Sequence, residues 1–175
     1  MSEINYTAEF VERTKQLLEQ VYEKAESENL ENTFLMNCLL GLVVAVSELK
    51  KGDSKKYFDQ KINDELLAKI PNKVGYLVNN SEYNLLGIES SISFEIGKRE
   101  NLSAQTASWL LGKIRNGIAH QNIEAINSNG KWNGVKIWNH DKQKRKDFEI
   151  EFTNFELKDF TLFISLQYIA HIPVS

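Results

Sequence analysis

Within the stretch KIRNGIAHQN, residues 113–122, an arginine, an asparagine, a glycine and a histidine fall inside six positions. Arg115 is a permanent cation whose planar fork matches phosphate oxygens. His120 can take or give a proton near neutral pH. That pair suits a reaction at a phosphodiester. If the strand is RNA, its own 2′-hydroxyl can be the nucleophile. The protein then supplies a proton acceptor, a proton donor and positive charge for the crowded phosphate. Asn116, beside the arginine, could orient either group or the strand. On an ideal helix, however, residues five apart point about 140° away from each other. One straight helix cannot aim both side chains at one small target. Gly117 between them weakens a helix, and a symmetric partner could bring a second Arg and His to the same cleft. A purely structural reading also fits these residues. Basic side chains near a helix C-terminus meet its dipole, Asn-Gly is a turn dipeptide, and a terminal histidine can cap.

Two further groups could serve such a site. Asn37, Gly41, Val44 and Glu48 share one stripe of an otherwise apolar segment. Asn37 and Glu48 there could face the cleft and orient Arg115 or His120, or Asn37 could bond to neighbouring backbone while Glu48 meets solvent. The run KQKRK, residues 142–146, is the dense basic stretch, and Lys142, Lys144 and Arg145 could contact phosphates beside the stacking faces of Trp132 and Trp138. A solvated turn is the simpler reading of the same run. His140 falls in a turn and His171 near the C-terminus. Neither has ligand spacing to Cys, Asp or Glu, so no metal is expected. There is no phosphate-cradling glycine loop, and no cofactor is expected.

These side chains need a scaffold, and the apolar periodicity outlines one. Residues 5–26 predict an amphipathic helix through Phe10, Thr14, Leu17, Leu18, Val21 and Ala25. Asn32 is a plausible cap for a second, central helix to Leu49, ended at KKGD. Residues 54–70 predict a third, stopped by Pro71. Residues 72–100, with VNNSEYN and ISFEI, give no firm assignment. Ser103 would cap a strong helix through Ala107, Leu110, Leu111, Ile114 and Ile118. IEAIN, VKIWN and FEIEF then alternate, which predicts a small antiparallel meander over about 123–152. Thr153 and Glu156 form a capping box for a last helix to about His171.

The whole chain of 175 residues, 42% hydrophobic, suits a single domain, 1–175, with a real core. A net charge of −3 excludes a globally basic nucleic-acid binder but not a local basic site. The one cysteine, Cys38, lies in FLMNCLLGLVVAV and reads as a core residue. That run is too short to span a bilayer, and MSEINYTAEF is polar and acidic, so a soluble, cytoplasmic protein without membrane contact is expected.

Arg-Asn-Gly-Ile-Ala-His resembles the R-x(4–6)-H signature of the HEPN superfamily, with Asn116 at the position where that family often carries a polar residue. The sequence of FLMNCLLGLVV, RNGIAH, a short β insertion and a last helix is similar to bacterial HEPN nuclease families. The resemblance covers the helix pattern broadly and about six residues sharply. It implies a mainly α fold, a HEPN-like helical bundle with the β meander inserted before the last helix. It implies a homodimer whose two motifs face one composite cleft, and metal-independent cutting of RNA by 2′-hydroxyl attack, with Arg115, Asn116 and His120 as the catalytic set. A toxin or phage-defence role, with an antitoxin or defence-system partner, belongs to the same implication. So does the alternative of a non-catalytic module that binds RNA or a nucleotide, or assembles as a dimer. One subgroup carries Tyr two residues after the His. Asn122 stands there in this chain, so regulation by adenylylation at that site is not supported.

Overall fold

The computed structural model describes residues 3–47, 53–76, 98–128 and 130–171. It is mostly helical, with one small antiparallel sheet. In chain order the elements are α1 (Glu3–Gln20), α2 (Tyr22–Ser27), α3 (Glu31–Ser47), α4 (Asp53–Phe58), α5 (Asp64–Lys69), β1 (Val74–Tyr76), a 3₁₀ helix (Lys98–Ala104), α6 (Ala107–Ala119), β2 (Ile123–Ser128), β3 (Lys131–His140), β4 (Lys146–Thr153) and α7 (Asn154–Ala170).

The first expected helix is present with a joint. α1 gives way to α2 at Val21, and the chain then turns at Asn29, whose φ of 56° is a left-handed conformation that asparagine tolerates. α3 packs against α1, α6 and α7, which is why it is apolar nearly all round: Leu35, Leu39, Leu42 and Val43 are fully buried. It begins at Glu31, so Asn32 is not its cap. Asn32 is buried inside the first turn and donates from Nδ2 to the Trp132 carbonyl at 2.9 Å. Cys38 belongs to this core, and burial pushes its thiol up to about 11. A maleimide at pH 7 is therefore expected to leave the folded protein unlabelled and to react fully once urea exposes the thiol. Rapid labelling of the native protein would contradict this.

The third expected helix is divided. α4 stops at Phe58, Lys61 bridges to Thr106, and Asn63 starts α5 by accepting the Leu66 amide on its side chain at 2.9 Å. A cap inside the window breaks the continuous period because Asn competes for backbone donors. α5 ends before Pro71, as expected. The expected helix end at KKG and the ISFEI segment lie outside the described residues.

The meander is present, and it is larger than expected. The sheet order is β1-β4-β3-β2, all antiparallel. The added strand is β1, with Val74 opposite Ile150. Three residues are too few to show an alternating pattern, which explains why it escaped the sequence. Val135, Ile137, Phe148, Ile150 and Phe152 form the inner face and are buried against the helices. Gly134 has no room for a side chain, since a Cβ there would lie 2.1 Å from the Phe152 carbonyl oxygen. The Thr153–Glu156 capping box is formed, and α7 runs from it to Ala170.

Candidate functional site

α6 carries the opening motif. Its cap is Thr106, not Ser103, which lies in the preceding 3₁₀ helix; Thr106 Oγ1 accepts the Trp109 amide at 3.1 Å. Leu110, Leu111, Ile114 and Gly117 form the buried stripe. Gly117 does not interrupt the helix. It permits contact instead: a Cβ there would lie 2.6 Å from Ile137 Cγ2 and 2.6 Å from the Trp138 carbonyl oxygen. The helix thus crosses β3 backbone to side chain at the centre of the motif.

The helix then closes tightly. Asn122 N–H donates to the Gly117 carbonyl at 2.9 Å and Gln121 N–H to Ile118 at 3.0 Å, a Schellman closure. Gln121 sits at the left-handed position with φ 58°, directly after His120. Glycine avoids the Cβ clash of that conformation, so Gln121→Gly is expected to raise stability by roughly 0.5–1 kcal/mol. A chemical-denaturation midpoint checks it, and no rise would show that neighbouring contacts already relieve the position.

Arg115 and Asn116 are partly buried, and His120 is exposed. Arg115 Nε is buried without a hydrogen-bond partner, and Nη1 reaches Asn116 Oδ1 at 3.4 Å. Among the described residues no carboxylate pairs with this guanidinium. His120 is the C-cap, with φ −95° and ψ 10°, and its N–H donates to the Asn116 carbonyl at 3.0 Å. The helix stays regular up to Ala119, so nothing in its backbone brings the two five-residue-spaced positions onto one face. One turn before Arg115, a cavity of about 260 Å³ opens beside Gly112, Ser108 and Asp59.

The other sequence candidates fall elsewhere. Asn37 is exposed on α3. Gly41 on its stripe lies beneath the Phe10 ring, where a Cβ would come within 2.6 Å of Cζ, so α1 occupies the space beside this glycine. Glu48 lies outside the described residues. In the β3–β4 turn Lys142 and Lys144 project into solvent. Arg145 is held by Asp141, with Nε donating to Oδ2 at 2.8 Å. Burial works to raise the Asp141 carboxyl, but hydrogen bonds from the Arg145 side chain and from backbone amides win and hold it below its ordinary value. Lys146 pairs with Glu149 and lies 5.5 Å from the centre of the Trp138 ring. Much of the basic run is therefore engaged within the hairpin.

Two groups near the motif were not assigned to the site from sequence. His140 is not in the turn but ends β3, where its Nδ1 lies 3.4 Å from Asn122 Nδ2. Asp147 ties the same region to α6, since its Oδ2 pairs with Lys113 and its Oδ1 accepts Asn139 Nδ2 at 2.8 Å. Only the strand register brings these together, and no local spacing signals it.

A comparison with protein-family models matches residues 1–172 to the family described as HEPN pEK499 p136. The chain belongs to this HEPN family. The match spans the described elements from α1 to α7, so the HEPN assignment rests on far more than the six residues of the motif. No curated protein and no solved structure matches the chain. No helix among the described residues of this HEPN protein is long and apolar enough to cross a membrane.

Proposed function

We propose that this HEPN protein is an endoribonuclease that cuts RNA by attack of the strand's own 2′-hydroxyl, without a metal. The observation that carries the reading is Arg115: a partly buried guanidinium with no carboxylate partner among the described residues, five positions before an exposed histidine. A cation kept out of salt bridges is free to meet a phosphate. His120 moves the proton, Arg115 stabilises the charge on the phosphorus oxygens, and Asn116 holds the guanidinium. Because the two side chains diverge on a regular helix, the working site combines two protomers, each adding to one cleft. A cytoplasmic toxin or phage-defence role, restrained by a partner protein, fits such an activity.

The second reading is a dimeric module that binds RNA or a nucleotide without cutting it, and the divergence of Arg115 and His120 within one protomer favours it. One experiment separates the two. Labelled single-stranded RNA and its DNA twin are incubated in EDTA with wild type, His120→Ala and Arg115→Ala. The nuclease reading expects RNA alone to be cut, by wild type alone. Binding without cutting, little changed in His120→Ala, is the result of the second reading.

A further inference from the structure

Strand scission by a 2′-hydroxyl needs two proton movements. One group removes the 2′-hydroxyl proton as the 2′-oxygen bonds to phosphorus. Another protonates the 5′-oxygen as the P–O5′ bond breaks. His120 can fill one of these roles at a time. The structure places a second histidine at the same corner. Asn122, two residues after His120, is fixed by its own backbone: its N–H meets the Gly117 carbonyl at 2.9 Å, and its carbonyl accepts Trp138 N–H at 3.1 Å. Its side-chain Nδ2 then lies 3.4 Å from Nδ1 of His140. Asn139 Nδ2 holds the His140 carbonyl at 3.0 Å and Asp147 at 2.8 Å, and Asp147 is paired with Lys113 of α6. Both histidines are exposed, and the backbone between them is stapled to one helix.

We infer that His140, held at Nδ1 by the Asn122 side chain, is a second proton-transfer group of the same protomer and serves the departing 5′-oxygen. This rests on the ribonuclease reading above. An amide is a suitable companion for a group that changes protonation. Turned so that its Oδ1 faces the ring, it accepts the Nδ1 proton both in imidazolium and in the neutral ring left once Nε2 has given up its proton, so one contact serves both states. In the step, His120 takes the 2′-proton, the 2′-oxygen displaces the 5′-oxygen at phosphorus, and imidazolium His140 passes its Nε2 proton to that oxygen. The products are a 2′,3′-cyclic phosphate and a 5′-hydroxyl, and the net proton count is unchanged.

The test compares two substrates: an RNA dinucleotide, whose alkoxide leaving group needs a proton, and uridine 3′-(4-nitrophenyl phosphate), whose nitrophenolate does not. His140→Ala is expected to lose about 10²-fold on the dinucleotide and no more than about threefold on the nitrophenyl ester. His120→Ala loses activity on both. His140→Asn, which keeps a polar contact to Asn122 but cannot transfer the proton, should behave as His140→Ala does. Equal loss on both substrates would make His140 merely structural and overturn the assignment, as would unchanged cutting of the dinucleotide. A wild type inactive on both substrates would instead overturn the ribonuclease reading, and this assignment with it.

Discussion

Gly117→Ala is expected to cost the protein up to about 2 kcal/mol and, if the proposed ribonuclease reading holds, most of the cleavage activity. Alanine in a helix interior is normally favoured over glycine by about 1 kcal/mol. Here the added methyl would lie 2.6 Å from both Ile137 Cγ2 and the Trp138 carbonyl oxygen. The isoleucine methyl can give way, but the strand backbone cannot without moving β3. Overpacking costs about 1–3 kcal/mol, and a contact with rigid strand backbone belongs in the upper part of that range, above the propensity gain. The shift falls between Arg115 and His120, and a displacement on the order of 1 Å costs about 10²-fold in rate. Gly112→Ala is the matched control. Nothing lies within 4 Å of a Cβ at that position, so the same change on the same helix should stabilise by about 0.5–1 kcal/mol. Thermal unfolding of both variants reads the two signs. Like signs would mean that the contact with β3 is not what selects glycine at 117.

Arg115→Ala is expected to remove about 10²–10³-fold of the cleavage rate without lowering stability. The two effects separate because Arg115 Nε is buried and has no partner. A buried donor left unpaired opposes folding, so its removal should leave the melting temperature unchanged or higher. A residue kept at some cost to the fold is expected where function requires it. Arg115→Lys should not restore the rate, since a point charge lacks the planar fork that meets two phosphate oxygens. Loss of stability in Arg115→Ala, in parallel with activity, would assign the arginine to the scaffold instead.

The long apolar periods were legible in the sequence. α3, α6 and α7 and three of the four strands among the described residues follow from spacing alone, because each buries one regular set of side chains. The capping box at Thr153 was equally readable, since its two residues sit three apart. Start and stop points were less so. Asn32 has the type of a cap, yet it is spent on the Trp132 carbonyl 100 positions away. Ser103 and Thr106 are both capping types three residues apart, and only the 3₁₀ helix before Thr106 decides between them. For the site, the motif itself was readable, but two of its supports were not. Gly117 suggested a weak point and proved to be a contact. His140 looked like a turn residue because its neighbours are Asp, Lys and Gln, while the pairing that brings it to Asn122 is set by strand register across the sheet.

The most direct measurement uses a DNA strand that carries a single ribonucleotide, incubated in EDTA with wild type and with His120→Ala. Wild type is expected to cut once, on the 3′ side of the ribonucleotide, and to leave a 2′,3′-cyclic phosphate, while His120→Ala leaves the strand intact. Cutting at deoxynucleotides, or equal cutting by the variant, would contradict chemistry by a 2′-hydroxyl at the Arg115–His120 site.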